Sequence, residues 1–296
     1  MRLRTLPLAS ACVIFGSSLA MNRLQIDWSL FSWTLATAIY LQILSNLAND
    51  YGDFTKGTDD EGRIGPARAL QSGAITKRAM LTGILLTSVI SLGSGLYTLY
   101  LAFGSLTHPW SFSLLAIGIL SIAAAINYTI GKRAYGYSGL GDLAVFIFFG
   151  IVGVGGTYVL QVKSLHWDIA FPTVAIGLLS VAVLNLNNLR DIENDREHGK
   201  RTIPVKIGLE NGISYHATLI LGAWMCLTVW WIKSFQMQFE IVFFLPAIIF
   251  TKHLKTVLGT KDPKSFDPEL KKVALGTFAL AITALGLALT RELFLP

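Results

Sequence analysis

Long apolar runs dominate this chain and constrain its fold more than any other feature. Of its 296 residues, 53% are hydrophobic and only 14% are charged. A helix needs roughly 17 to 25 apolar residues to cross a hydrocarbon core of about 30 Å. Runs near that length lie at residues 6–22, 28–49, 79–103, 110–129, 142–162, 169–189, 211–232, 239–258 and 272–290. The sequence therefore predicts an all-α integral membrane protein, a bundle of about nine transmembrane helices forming a single domain over residues 1–296.

The basic residues predict how such a bundle is oriented. If the N-terminus is cytoplasmic and nine helices alternate, 20 of the 24 Lys and Arg residues lie on the cytoplasmic side, and only Arg23, Lys163, Lys233 and Arg291 lie opposite. This asymmetry is typical of multi-pass proteins of the cytoplasmic (inner) membrane. The net charge of +6 thus reflects orientation, and we expect no nucleic-acid partner. The basic, apolar start lacks a clear cleavage site, so we interpret it as a retained first helix.

The acidic residues are concentrated in two of the predicted cytoplasmic connections. Nine of the 18 acids fall within residues 46–78 and 185–208. Acids at the ends of membrane helices usually face the bundle interior or water, and they often mark function. These nine are Asp50, Asp53, Asp59, Asp60, Glu61, Asp191, Glu193, Asp195 and Glu197.

Helical spacing separates some of these acids from the rest. Asn46, Asn49, Asp50 and Asp53 follow an i, i+3, i+4, i+7 pattern, and Asn188, Asp191 and Asp195 follow i, i+3, i+7, so each set shares one helix face. A hydrated loop could carry the remaining acids without any function. A hydrated loop does not explain the two sets that each share a helix face, because like charges at this spacing repel unless a cation lies between them.

Mg²⁺ is the cation that these side chains favour. Clustered carboxylate and amide oxygens suit Mg²⁺ or Ca²⁺, and the sequence does not match a Ca²⁺-binding loop. Mg²⁺ takes few protein carboxylates and shares its other positions with phosphate, so two acid pairs predict two Mg²⁺ ions and a diphosphate ligand. Basic residues beside the motifs could complete its binding, although the positive-inside rule alone would also place them there: Lys56, Arg63, Arg68, Lys132, Arg133, Lys200 and Arg201.

Several motifs resemble those of a known family. "NDYGD" with "RALQSG", "YTIGK" and "RDIENDREHGKRT" are similar to the conserved elements of the UbiA superfamily of membrane-bound aromatic prenyltransferases. The resemblance implies catalytic and metal ligands at Asp50, Asp53, Asp191 and Asp195. It implies diphosphate ligands at Asn49, Arg68, Tyr128 and Lys132, the last also catalytic, and at Arg4. On the same hypothesis Asp59 and Asn188 are further metal ligands, and Arg63 and Lys200 further diphosphate ligands.

Other details resemble one branch of that superfamily. The inserted "FTKG", with "GYSGLGDLAVFIFFG" and "NNLRDIENDREHGKRT", is similar to the branch that prenylates 1,4-dihydroxy-2-naphthoate in menaquinone biosynthesis. The resemblance implies transfer of a polyprenyl chain from a polyprenyl diphosphate to that acceptor, with decarboxylation, giving demethylmenaquinone. Arg133 and Asp142 are the candidate acceptor-binding residues, although the branch often has Glu at the position of Asp142.

Alternative functions remain open at this point. The same enzyme class could use another acceptor, such as 4-hydroxybenzoate, homogentisate or haem. CDP-alcohol phosphotransferases also use Asp and Mg²⁺, but their compact Asp–Gly–Ala–Arg signature is absent from the sequence. A cation-coupled transporter would more often carry its acids near the bilayer centre, whereas here they lie at predicted helix ends.

Overall fold

The chain forms a bundle of α-helices in a computed structural model, which describes residues 5–58, 64, 68–234 and 238–294. The twelve α-helices among the described residues are α1 (Leu6–Ala20), α2 (Trp28–Thr55), α3 (Lys77–Phe103), α4 (Pro109–Asn127), α5 (Gly141–Val145), α6 (Thr157–Val162), α7 (Ala170–Arg190), α8 (Ile192–Glu197), α9 (Ile203–Ile207), α10 (Leu209–Ser234), α11 (Ala247–Leu258) and α12 (Phe266–Phe294). A π-helical segment, Phe146–Gly156, joins α5 to α6.

Eight spans among the described residues are long and apolar enough to cross a membrane, which confirms the predicted all-α membrane class. The first predicted span is shorter than expected. Helix α1 has 15 residues, about 22 Å, and most of its side chains are buried in the bundle. The eighth, at 239–258, is not one regular helix, because a 3₁₀ segment (Gln238–Phe244) precedes Pro246 and α11 begins after it.

Helix α7 lies at the centre of the bundle. Most of its residues are buried, and it packs against α10, α12 and the π-helical segment. Helix α4 is the opposite case, since Ser111 is its one buried residue and Phe112, Ile119 and Leu120 are exposed on its outer side. A large apolar surface facing outward suits a lipid environment, where burial against protein is not needed to shield it.

The π-helical segment packs closely against α7 through glycines. A Cβ added at Gly150 would lie 2.9 Å from the carbonyl oxygen of Thr173, and one added at Gly177 would lie 2.8 Å from the Phe146 ring. These contacts leave no room for larger side chains. Because π-helical geometry is rare and often occurs at functional sites, this segment is a candidate part of the functional site.

A buried polar network ties together the last three long helices. His216 of α10 and His253 of α11 approach each other at 2.7 Å between their Nε2 atoms, and His253 Nδ1 lies 2.7 Å from Glu269 Oε2 of α12. Lys272 donates to the other oxygen of Glu269 at 2.5 Å. Such a network fixes the relative positions of the helices, since each buried polar group depends on its partner.

Candidate active site

The first acidic motif lies on the last turns of α2. The helix continues to Thr55, past the end of the apolar run, so Asn46, Asn49, Asp50 and Asp53 share one face as predicted. Asp50 and Asp53 are 5% and 3% exposed. Two carboxylates buried this deeply need compensating positive charge or hydrogen bonds.

Arg68 supplies that charge from the connection between α2 and α3. Its Nη1 donates to Asp53 Oδ2 at 2.7 Å, and its Nε lies 3.5 Å from Asp50 Oδ1. The second oxygen of Asp53 accepts a hydrogen bond from the Tyr137 hydroxyl at 2.8 Å, and that hydroxyl also lies 2.6 Å from Thr58 Oγ1. Both oxygens of Asp53 are therefore held in fixed directions.

The second acidic motif lies where α7 ends and α8 begins. Asp191 is paired with its neighbour Arg190, whose Nε and Nη2 donate to Asp191 Oδ1 and Oδ2 at 2.9 and 2.6 Å. Arg190 Nη1 reaches Asp267 at the start of α12, at 2.7 Å. The guanidinium thus fixes the Asp191 carboxylate and links it to α12, which is far along the chain but packs against α7.

Asp195 is the least satisfied carboxylate of the site. It is 2% exposed, and its Oδ1 lies 3.3 Å from the ammonium group of Lys200. Its Oδ2 is buried, and no donor among the described residues bonds to it. Burial raises the pKa of Asp195 to about 6, against the charge of Lys200, which lowers it. An oxygen with unused lone pairs inside the protein is a natural ligand for a cation.

The two motifs meet at one end of the bundle, here called the motif end. Asn194 of α8 donates to the backbone carbonyl of Thr58 at 2.9 Å, and the backbone N–H of Arg201 donates to that of Tyr137 at 3.0 Å. Lys200 lies 5.6 Å from the centre of the Tyr137 ring. Although burial opposes its charge, the carboxylates of Asp195 and Asp53 raise the pKa of Lys200.

A cavity of about 360 Å³ extends from the motif end into the bundle. On α2 its wall runs as a helical stripe from Thr34 to Asp53, nineteen residues or about 28 Å along the axis. Polar groups line it at the motif end and largely apolar ones beyond. The cavity therefore joins a charged end to a channel about as long as the hydrocarbon core is thick.

The structure brings most of the described candidate residues together, although their roles stay predictions. The cavity is lined by Asn49, Asp53, Arg68, Tyr128, Asn188 and Lys200. Asp50, Asp191 and Asp195 are buried beside these residues. Arg4, Asp59 and Arg63 lie outside the described residues.

Three further candidates lie apart from this group. Lys132 and Arg133 are exposed on the turn after Tyr128, rather than in the cavity wall. Asp142 is the second residue of α5 and accepts a hydrogen bond from Tyr215 of α10 at 3.0 Å. Burial, reinforced by the negative charges of Asp142 and Asp53, raises the pKa of Tyr128. Tyr128 therefore lies close enough to both Asp142 and the first motif for their charges to affect it.

Sequence reasoning missed Tyr137 and the Arg190–Asp267 pair. Tyr137 follows the "YTIGK" motif by only a few residues, yet nothing local indicates that it bonds to Asp53, 84 positions earlier. The role of Arg190 was easier to predict from sequence than that of Tyr137, because an arginine directly before an acid on a buried helix end needs a partner. Its link to Asp267 could not be anticipated without the packing of α12.

The donor set fits Mg²⁺, which the site would hold between the motifs. Among the described residues, no three His, Cys, Asp or Glu side chains surround one point. Mg²⁺ takes one or two protein carboxylates and completes its octahedron with water and phosphate oxygens. The observation that supports the fit is Asp195 Oδ2, which is buried and accepts no hydrogen bond from the described residues.

Comparison with known sequences identifies related proteins. The model of the UbiA prenyltransferase family matches residues 9–266. The 1,4-dihydroxy-2-naphthoate octaprenyltransferase of Escherichia coli (strain K12) is 43% identical over 276 residues, which cover 93% of this chain and 89% of that protein. The protein of the same name from Haemophilus influenzae is 40% identical over 289 residues, covering 97% and 93%.

Solved structures share the fold at low sequence identity. A UbiA homolog from Aeropyrum pernix K1, in its apo form, superposes with a TM-score of 0.70 at 18% identity and covers 99% of both chains. A UbiA homolog from Archaeoglobus fulgidus, solved with DMAPP and Mg²⁺, has a TM-score of 0.61 at 13% identity and covers 96% of this chain and 98% of that one.

Proposed function

Because this chain belongs to the UbiA prenyltransferase family, we propose that it transfers a polyprenyl chain from an allylic polyprenyl diphosphate to 1,4-dihydroxy-2-naphthoate. The acceptor loses its carboxylate as carbon dioxide, and the product is the quinol form of demethylmenaquinone. The curated relatives that are 40–43% identical over most of the chain carry the name of this activity.

The observation that carries the proposal is the joining of two environments in one cavity. The motif end offers Arg68 and Lys200 beside buried carboxylates, which suits a diphosphate bound with Mg²⁺. The channel beyond it is largely apolar, which suits a prenyl tail. A substrate with a charged head and a long hydrocarbon tail matches both parts at once.

We assign Asp50, Asp53, Asp191 and Asp195 to the two Mg²⁺ ions, with Asn188 as an additional ligand. When bound, the ions would neutralise the diphosphate and favour its departure. Arg68 and Lys200 supply further positive charge next to these carboxylates. Because Arg68 and Tyr137 already fix Asp53, this carboxylate needs little reorganisation when the substrate arrives.

For the remaining steps the protein needs only to position the two substrates and to exclude water. The C–O bond to the diphosphate breaks, and the diphosphate leaves with the electron pair. The ring carbon that carries the carboxylate attacks the allylic carbon. Carbon dioxide leaves, and the electrons of its C–C bond restore the aromatic ring, so no strong base is needed. The apolar walls exclude water, which would otherwise capture the allylic cation.

The product mass from a reconstituted reaction tests this proposal. Purified protein in liposomes receives Mg²⁺, octaprenyl diphosphate and one acceptor at a time: 1,4-dihydroxy-2-naphthoate, 4-hydroxybenzoate or homogentisate. We expect a decarboxylated, octaprenylated naphthoquinol with the first acceptor, and loss of turnover with EDTA. A product formed only with another acceptor would refute the proposed substrate, and no product with any acceptor would refute the activity.

We further propose that the protein lies in the cytoplasmic membrane with the motif end facing the cytoplasm. The asymmetry of the basic residues supports this orientation. Cysteine introduced at exposed Lys132, at the motif end, or at exposed Leu165, at the opposite end, provides the test. We expect a membrane-impermeant maleimide to label Leu165→Cys in spheroplasts and Lys132→Cys only in inverted vesicles. The reverse pattern would contradict the orientation.

A further inference from the structure

Gly156 lies in the cavity wall and makes no close contact with the described residues that would require a glycine. Gly156 has φ −62° and ψ −43°, a helical conformation that any residue adopts. No heavy atom of the described residues outside its own helical turn lies within 4 Å of the position that a Cβ would take. Glycine weakens a helix relative to alanine. What the missing side chain provides is open space in the cavity that Gly156 lines.

Two other glycines of the cavity wall, Gly153 and Gly118, differ in the contacts that an added Cβ would make. Gly153 also lines the cavity, but a Cβ there would lie 2.9 Å from the Cβ of Cys12, so its small size permits α1 to pack closely. Gly118 of α4 resembles Gly156, since it lines the cavity and a Cβ there would meet no described heavy atom within 4 Å. Gly118 and Gly156 therefore keep the cavity wide without serving helix contacts.

These two glycines lie at different depths. Gly118 is nine residues before Asn127, the last residue of α4, so it lies about 14 Å from the motif end. Gly156 is five residues before Gln161, whose side chain accepts a hydrogen bond from the backbone N–H of Asp27 at 3.2 Å. Asp27 caps the start of α2, at the end of the bundle opposite Asp53. Gly156 therefore lies at the far end of the channel.

We propose that Gly118 and Gly156 determine how long a prenyl chain the channel accepts, with Gly156 governing the longest donors. This inference rests on the proposed function and adds the selectivity of its donor site. A side chain at either position projects into the space that the tail occupies. A tail that ends short of that position makes no contact with the new side chain. A longer tail loses its contacts there or is displaced at its reacting end.

Steady-state kinetics with donors of increasing length test the proposal. Variants Gly118→Leu and Gly156→Leu are compared using dimethylallyl, geranyl, farnesyl, geranylgeranyl and octaprenyl diphosphates. For Gly156→Leu we expect the ratio of kcat/KM with the octaprenyl donor to that with the geranyl donor to fall about tenfold or more. For Gly118→Leu we expect the fall to begin with a shorter donor. Equal losses for all donors, or unchanged ratios in both variants, would overturn the inference.

A matched control separates the cavity from the effect of leucine in a membrane helix. Gly93 of α3 is exposed, is not among the residues that line the cavity, and leaves a Cβ equally free of described neighbours. Gly93→Leu should keep the wild-type ratio for every donor. If Gly156→Leu does not fold, Gly156→Ala should lower the octaprenyl-to-geranyl ratio of kcat/KM about twofold. An unchanged ratio in this variant would count against the inference. Inactivity of the wild-type protein with every donor would instead refute the proposed function.

Discussion

The two acidic motifs look alike in sequence, but the structure completes them in different ways. Asp53 receives its partners from far along the chain, since Arg68 follows it by 15 positions and Tyr137 by 84. Asp191 is paired with the residue directly before it, Arg190, and through that residue with Asp267. The first motif is therefore positioned by loops around it, whereas the second is held within its own helix end and anchored to α12.

Asp195 sharpens this contrast. It has Lys200 on one oxygen, and no described donor on the other. The first motif is thus fixed in advance, while the second keeps one buried oxygen available. We interpret Asp53 as held in position before the ligands arrive. Asp195 gains its missing interaction only when a cation binds.

The largest effects should come from neutralising one carboxylate in each motif. Asp53→Asn and Asp195→Asn keep the shape of the side chain but remove its charge, so each should lower kcat by about a hundredfold to a thousandfold. Steady-state assays at saturating Mg²⁺ measure this loss, and thermal unfolding checks that the fold persists. Retention of more than a tenth of the activity in both variants would contradict the metal-site assignment.

Next in size is the loss of the anchor of the second motif. Arg190→Met removes the guanidinium that pairs with the buried Asp191, and breaking a buried pair from one side costs about 3–5 kcal/mol. We expect a clearly lower thermal midpoint in detergent, together with reduced activity. The double variant Arg190→Met/Asp191→Asn should recover part of the lost stability, because the buried charge of Asp191 that Arg190 neutralises is removed as well. The absence of any recovery would show that the pair does not act as described.

A smaller effect should distinguish the buried lysine from the exposed one. Lys200 lines the cavity beside Asp195, so Lys200→Met should raise KM for the prenyl diphosphate about tenfold to a hundredfold. Lys132 is exposed on the turn after Tyr128. Lys132→Met should change KM by less than about threefold if its side chain stays there. A large effect at Lys132 would support the role predicted from sequence and show that this turn moves on ligand binding.

The smallest predicted effect concerns pH. The pKa of Asp195 is raised to about 6, and Mg²⁺ binds the carboxylate rather than the acid. Protons compete with the ion as the pH approaches this pKa, so lowering the pH from 7 to 6 should weaken the apparent Mg²⁺ affinity about twofold, and further acidification should weaken it more steeply. Mg²⁺ titrations of activity at each pH measure this, and a pH response unchanged by Asp195→Asn would assign it to another group.

These contrasts also show how far the sequence alone leads. Apolar run length predicts the helices because crossing a bilayer imposes a minimum length, and helical spacing places Asp50 and Asp53 on one face because the period is fixed. Such rules are local. Tyr137 and Asp267 reach the site through packing between distant segments, which no local pattern encodes. The open positions at Gly118 and Gly156 likewise depend on what surrounds them, so only the structure distinguishes them from packing glycines such as Gly153.

The central claim is that the two motifs act as one Mg²⁺–diphosphate clamp, and a double-mutant cycle on ligand binding tests it most directly. The measured quantity is the Kd of an unreactive prenyl thiodiphosphate, with Mg²⁺, for the wild-type protein, Asp53→Asn, Asp195→Asn and the double variant. If the motifs act together, each single change weakens binding about tenfold or more, and the double variant binds little worse than the weaker single one. Strictly additive losses would contradict the claim, because they would mean that the two motifs bind independently.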